Sequence, residues 1–296
     1  MQHILVAGGS GYIGFHLCSQ LGEQSPVTSI NYDDGRSEKD CINLDLTDIN
    51  QVKDFAYNCT HFDVLIFLVG LAHAKGKGKD LPEFKNINYQ TLVNLISALK
   101  YNNKSPSKII FASTISVYGE RYNQNEYNEL LEPNPFSPYA VTKLQAEQYL
   151  LDTWRDKSWI LRFAPVYSST FLLNINRRTK MGKLFYKIGN GTKKLSLCNI
   201  ENIKAVVEGI IYGKVPAGLY NISDPKPYTY NDLLKHQGAS GVFRIPALVI
   251  RLFYVLGKIT KNIFLKENSV KLITDNIYSP EKIKFHIKLD ATINDI

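Results

Sequence analysis

Tyr139 and Lys143 stand four residues apart in the run Tyr139-Ala140-Val141-Thr142-Lys143. On a helix that spacing puts both side chains on one face. A phenol beside an ammonium is a proton-transfer pair, because a nearby positive charge favours the phenolate and draws its pKa toward working pH. The chemistry such a pair suits is movement of a proton to or from an alcohol or sugar oxygen. A second constellation lies at the start of the chain, where Gly8, Gly11 and Gly14 space the segment Gly8-Gly9-Ser10-Gly11-Tyr12-Ile13-Gly14 as GxxGxxG. It follows the apolar run Ile4 to Ala7 and opens a helical pattern, the context of a dinucleotide-binding turn. Gly8 permits the tight turn, Gly11 lets backbone approach a pyrophosphate and Gly14 lets the helix pack on its strand, with helix-start amides facing the phosphates. A bound nicotinamide would add a second positive charge near Tyr139 and carry hydride to or from the same substrate.

These groups need a frame. Apolar runs at Ile4 to Ala7, Val27 to Asn31, Val64 to Val69, Lys108 to Ser113 and Trp159 to Phe163 predict strands. Helix patterns starting near Gly11, Asn50, Asn88 and Ser137 alternate with them. Strands this apolar, joined by helices, predict an α/β fold with a doubly wound parallel sheet of the Rossmann type, covered on both faces. A helix over Asn202 to Tyr212 and a strand over Gly218 to Ile222 read as a return to that sheet. The expected division is therefore a dinucleotide-binding domain over residues 1–165, rejoined by 195–224, and a smaller, mostly helical substrate lobe from 166–194 and 225–296. The second strand ends at Asn31, where an acidic residue would read the ribose 2′-hydroxyl of NAD. A neutral Asn removes the charge that repels a 2′-phosphate and Arg36 could reach one, which leans the reading toward NADP. Asp33 or Asp34 could equally restore a carboxylate. Asp45 and Leu46 are placed to hold the adenine edge.

Composition bounds what else the chain could be. Its 296 residues are 44% hydrophobic and 21% charged, which excludes disordered and collagen-like classes. The net charge of +8 comes from scattered groups: Lys75, Lys77 and Lys79; Lys193 and Lys194; Lys258, Lys261 and Lys266. Scattered cations read as a solvated face, so no nucleic-acid partner is expected. Part of the charge is assigned to a phosphate-rich cofactor and substrate. Cys18, Cys41, Cys59 and Cys198 form no CxxC pair, so no metal site is expected and the thiols read as reduced, in a cytoplasmic protein. The buried-strand pattern begins at His3-Ile4, leaving no leader in view. The apolar stretch from Ile245 to Phe264 is broken by Arg251, Lys258 and Lys261. It reads as a buried or interface helix rather than a transmembrane span, with peripheral membrane contact the less favoured reading.

Three segments together resemble the extended short-chain dehydrogenase/reductase family, in its nucleotide-sugar epimerase/dehydratase/reductase branch. They are Val6 to Gly14, Phe111-Ala112-Ser113-Thr114-Ile115-Ser116-Val117-Tyr118-Gly119, and Ser137-Pro138-Tyr139-Ala140-Val141-Thr142-Lys143. The resemblance implies an NAD(P)-dependent enzyme with Thr114, Tyr139 and Lys143 as its catalytic set, Thr114 holding the substrate oxygen and Lys143 also binding the nicotinamide ribose. It further implies cofactor contacts from Tyr12, Ile13, Leu68, Val69, Gly70, Asn88, Ser113, Phe163 and Val166. For the substrate it implies Thr114 and Asn174, and Arg177 and Arg178 follow with charge suited to a diphosphate. Homodimers are common in the family.

Departures from the family pattern narrow the activity. Dehydratases of the branch place Asp-Glu directly after the catalytic Thr, where this chain has Ile115 and Ser116, so dehydration lacks its acid and base. Ser168-Ser169 replaces the usual Gly-Pro after Val166-Tyr167, and Thr91 stands where the family often has Gly. The segments Leu71 to Lys85 and Ile245 to Leu248 resemble enzymes that reduce the 4-ketone of a UDP-linked 6-deoxy N-acetylhexosulose for surface-polysaccharide precursors. That reduction is the leading expectation. A UDP-glucose or UDP-GlcNAc 4-epimerase with tightly held NAD is the alternative, and a non-catalytic NADP sensor the third.

Overall fold

The computed structural model describes residues 1–32, 41–71, 80–122 and 124–296. The chain divides into two compact units. One comprises Met1–Val117, Ser137–Arg162 and Val207–Leu219; the other comprises Tyr118–Phe136, Phe163–Val206 and Tyr220–Ile296.

The first unit is built on a sheet whose first five strands are β1 (Ile4–Ala7), β2 (Val27–Asn31), β3 (Cys41–Asn43), β4 (Val64–Phe67) and β5 (Lys108–Thr114). Strands Ser158–Phe163 and Gly218–Ile222 extend it beyond β5, and the spatial order from the opposite edge is β3-β2-β1-β4-β5. All pairings among β1 to β5 are parallel, with Ile4 opposite both Val27 and Val64. This is the doubly wound order the alternating pattern predicts, reversing direction beside β1. All four residues of β1 and of β4 are fully buried, because a central parallel strand is covered on both faces.

Helices α1 (Tyr12–Gly22), α2 (Ile49–Asn58), α3 (Leu81–Lys85), α4 (Thr91–Tyr101) and α5 (Pro138–Thr153) fill the crossovers. Two features differ from expectation. Strand β3 escapes the hydrophobic pattern because it is three residues long, and it pairs with β2 through Ser29, Ile30 and Asn31. The helix expected near Asn88 begins earlier, at Leu81, where Asp80 and Glu83 form a reciprocal capping box, and it passes through a π turn over Asn86–Gln90 before α4.

Helix α5 starts where Ser137 accepts a hydrogen bond from the Ala140 amide at 3.2 Å, and Pro138 fits the first turn because its missing N–H has no partner there. Its buried stripe runs Ala140, Lys143, Ala146, Glu147 and Leu150. Two charged residues in that stripe set the chemistry described below.

The second unit has its own small core, with Tyr167, Ile175, Leu197 and Leu233 fully buried. Within it, buried Asp224 accepts from the Tyr167 and Tyr228 hydroxyls at 2.6 and 2.8 Å and from the Asn199 amide at 2.6 Å. No described helix is long and apolar enough to cross a membrane. The segment expected to form a buried helix does form one over Ala247–Ile259, but only Ile250 and Gly257 in it are buried.

Candidate active site

At the end of β1 the chain turns through Gly8, whose φ of +91° suits glycine and little else. Gly8 donates its amide to Ile30 O at 2.8 Å, tying the turn to β2. A Cβ on Gly14 would lie 2.2 Å from Gly8 O and 2.8 Å from Gly9 Cα, so α1 can approach its own turn only with glycine there. The helix starts at Tyr12, and the amides of Tyr12, Ile13 and Gly14 form its first turn, where the partial positive charge of a helix end collects. Replacing Gly14 by Ala forces the turn apart. We expect about 1–3 kcal/mol of lost stability together with weakened NAD binding, read by thermal melting and a fluorescence titration. An unchanged Kd would show that the turn does not hold the cofactor.

Above this turn lies a cavity of about 560 Å³, within the range of small-molecule sites. Its lining includes Gly8, Gly11, Asp45, Leu46, Leu68, Val69 and Gly70. All seven were expected at the cofactor from the sequence. Ile30, Tyr32, Leu44, Thr47 and Ile87 also line it and carry no motif by which a sequence could flag them. The glycine cradle, first-turn amides and an elongated apolar wall fit a dinucleotide, with Leu44 and Leu46 offering the flat surface an adenine needs.

Several residues expected at the cofactor also make protein contacts that shape the site. Asn31 is buried, and its Oδ1 accepts the Ser10 amide at 2.7 Å while its Nδ2 donates to Cys41 Sγ at 2.9 Å. It braces the glycine turn and β3 from the end of β2. Arg36 lies outside the described residues, as do Asp33, Asp34 and His73. Asn88 is fully buried: its Oδ1 accepts the Leu71 amide at 2.6 Å, and its Nδ2 donates to Thr142 Oγ1 at 3.1 Å. It clamps the loop after β4 to α5, one residue from Lys143. Ser113 donates its hydroxyl to the Glu147 carboxylate, so it too is a support.

The candidate catalytic set sits where β5 ends against α5. Thr114 is buried, accepts the Ser116 amide on its hydroxyl at 3.2 Å, and shares a hydrogen bond with the Tyr139 phenol. The expectation that charge draws the phenol pKa down is not met within the chain itself. Burial pushes Tyr139 up, with the Thr114 hydrogen bond opposing, so the phenol is held protonated. Lys143 points its Nζ to the carbonyls of Val69 and Ala112 at 3.0 and 2.9 Å, and stands 4.7 Å from the Phe111 ring centroid. It thereby spans the ends of β4 and β5. Burial lowers the Lys143 pKa to about 7, with Glu147 opposing.

Glu147, one further turn along α5, was not singled out from the sequence. It is fully buried, and Arg162 on the adjacent strand grips it through Nη2 at 2.6 Å and Nε at 3.0 Å. Tyr139, Lys143 and Glu147 recur every four residues, a signal the spacing did contain.

The lysine has a consequence for stability. Its folded-state pKa lies below its unfolded value of 10.5, so between about pH 7 and pH 10 the unfolded chain binds more protons. Stability then rises with pH across that window, by up to about 1.4 kcal/mol per unit. Relative to Lys143→Met, the wild-type chain should gain stability from pH 7 to pH 9 in denaturant titrations. A flat difference would show that Lys143 titrates normally.

In the second unit, Phe163 is buried and Val166 pairs with Cys198. Asn174 Nδ2 donates to Val166 O at 2.8 Å, and Arg178 Nη1 donates to Asn174 O at 2.7 Å. Arg177 is exposed.

Comparison with known proteins agrees with this geometry. The model of the NAD dependent epimerase/dehydratase family matches residues 4–211. An uncharacterized UDP-glucose epimerase from Bacillus subtilis is 32% identical over 183 residues, 55% of this chain and 56% of that protein. A UDP-glucose 4-epimerase from Yersinia pestis is 31% identical, covering 55% of this chain and 52% of that protein. These matches thus span about half of the relatives' length. Among solved structures, the UDP-glucose 4-epimerase of Thermotoga maritima with UDP-glucose superposes with a TM-score of 0.75 at 18% identity, covering 99% of this chain and 95% of that one. RMD from Pseudomonas aeruginosa, complexed with NADPH, gives 0.70 at 18% identity, covering 99% and 96%. Those identities carry the fold alone, which is the expected doubly wound α/β architecture. With the glycine cradle, the cavity and the Thr114–Tyr139–Lys143 set in place, the chain belongs to the NAD-dependent epimerase/dehydratase family.

Proposed function

We propose that this protein is a UDP-sugar 4-epimerase working with NAD. The observation that carries the reading is the pair of relatives named UDP-glucose epimerase and UDP-glucose 4-epimerase, beside a family match over residues 4–211 that includes Thr114, Tyr139 and Lys143. The reduction of a UDP-linked 4-keto-6-deoxy sugar, expected first from the sequence, finds no specific support among them. Ile115 and Ser116 after Thr114 leave no acid or base for dehydration.

The residues divide the work as follows. When bound, NAD accepts and returns a hydride and places a positive charge beside the phenol. With the positive charge of bound NAD favouring its phenolate, Tyr139 would take the proton from the sugar's C4 hydroxyl and return it to the same oxygen after the sugar has turned over. Thr114 fixes that oxygen by hydrogen bonding while its charge changes. Lys143 holds the loop after β4 and the end of β5 at a fixed spacing through its two carbonyl contacts. Arg177, exposed and adjacent to the Asn174–Arg178 pair in the second unit, would take the substrate diphosphate.

The test is incubation with UDP-glucose or UDP-GlcNAc without added cofactor, followed by NMR of the anomeric region. Equilibration with the C4 epimer is the expected result. Stoichiometric oxidation of NADPH by a UDP-4-keto-6-deoxy-hexosamine, with no epimer formed from either UDP-sugar, would overturn the proposal in favour of the reductase.

A further inference from the structure

Helix Ala247–Ile259 presents most of its surface outward. Leu248, Leu252, Phe253, Val255, Leu256 and Ile259 are between 46% and 74% exposed. Six large apolar side chains on thirteen residues exceed the scattered exposure normal for a soluble surface. The helix is anchored on a narrow stripe only. Ile250 and Gly257 are buried, and a Cβ on Gly257 would lie 2.8 Å from the Lys266 amide of the next helix, Ile263–Ile273. The outward face is thus held rigidly by a close helix pair.

The charge along this stretch of the chain has one sign. No Asp or Glu occurs from residue 233 to residue 266, while Arg244, Arg251, Lys258 and Lys261 all fall within that stretch and are exposed. Strand Phe243–Ile245, with Phe243 59% exposed, leads directly into the helix. It pairs in register with strand Leu184–Ile188, Tyr186 opposite Phe243. The adjoining turn carries exposed Met181, Lys183 and Leu184, in a segment also free of acidic residues from 157 to 200.

We propose that this basic, apolar face docks on an anionic lipid surface, the helix lying in the plane of the interface. An exposed apolar face ringed by cations without a counter-charge is the composition such helices use. A second copy of the chain fits less well, since a two-fold contact would set each cation cluster against its own image. The helix is too short to span a bilayer and has the length to lie on one.

The test is sedimentation of the whole protein with phosphatidylcholine vesicles, with and without phosphatidylglycerol. Binding is expected to the mixed vesicles alone and to weaken with salt. The double neutralisation Arg251→Gln/Lys258→Gln should lower partitioning about thirtyfold, at roughly tenfold to the one-and-a-half power for two cations near an anionic surface. Leu252→Glu/Phe253→Glu should abolish it, with melting temperature and turnover unchanged because both side chains are exposed. No binding to mixed vesicles overturns the proposal, as does equal binding to neutral ones. A concentration-dependent dimer in analytical ultracentrifugation that Leu252→Glu/Phe253→Glu dissociates would overturn it in favour of a second copy.

Discussion

Tyr139→Phe is expected to lower kcat by about 10²- to 10⁴-fold, the contribution of a positioned proton-transfer group, with little change in KM. The substitution removes one oxygen and keeps the ring, which is half-buried in the first turn of α5. What is lost is the only phenol sharing a hydrogen bond with Thr114 among the described contacts of that hydroxyl. Without it the substrate oxygen has a partner to hold it but none to exchange its proton. Forward and reverse epimerisation should fall by the same factor, since one group serves the oxygen in both directions. Because the interaction matters as the proton moves, kcat and kcat/KM should drop together. Steady-state assays in both directions, alongside melting curves to confirm the fold, measure this. A variant retaining more than about a tenth of wild-type kcat would show that proton transfer passes through another group.

Thr114→Val tests the partner. It removes the hydrogen bond that counters the burial of the phenol, so Tyr139 should titrate still higher. The activity of this variant should therefore keep rising with pH beyond the range over which the wild type levels off. A pH profile identical to wild type, at any absolute rate, would show that Thr114 does not act on the phenol.

How much of this was legible beforehand depends on which residues announce themselves locally. Strands β1 and β4 and most of β5 are near-continuous apolar runs, so their burial follows from composition alone. The glycine turn was legible because Gly8 and Gly14 are demanded by backbone geometry. The start of α3 was also written in the chain, as Asp80, Pro82 and Glu83, but the helix reading began downstream at Asn88. Side-chain direction was not legible. Asn31 occupies the expected position at the end of β2, yet whether its amide faces a ribose or the Ser10 amide depends on where the glycine turn lies in space. The apolar run over Ile245 to Phe264 reads as a buried or interface helix, and composition alone does not separate the two: in Ala247–Ile259 only Ile250 and Gly257 are buried. Glu147 and Arg162 were passed over because a lone charge in a helix or strand reads as solvated, and only the tertiary fold puts each at 2% exposure or less.

That buried pair should give the largest stability effect in the molecule. Arg162→Met leaves the Glu147 carboxylate fully buried with Ser113 as its remaining described donor, and removing one partner of a buried pair costs about 3–5 kcal/mol. For a chain of this size each kcal/mol moves Tm by roughly 2–4 °C, so a drop on the order of 10 °C is expected. Glu147→Gln should cost a similar amount by stranding the guanidinium. The double replacement Glu147→Leu/Arg162→Met should recover most of the loss, because two apolar side chains need no counter-charge. Calorimetry of the wild type, Arg162→Met, Glu147→Leu and the double variant closes this cycle, and single variants within about 1 kcal/mol of wild type would show the pair to be solvated. The same cycle bears on the site. Glu147 is the charge that opposes the depression of the Lys143 pKa, so Glu147→Gln should move it further below about 7. Arg162→Met should move it up, since the carboxylate then has no other cation bonded to it among the described contacts. Opposite shifts in the titration of Lys143, followed by NMR of a selectively labelled lysine, would separate this positioning role from simple loss of stability, which both variants share.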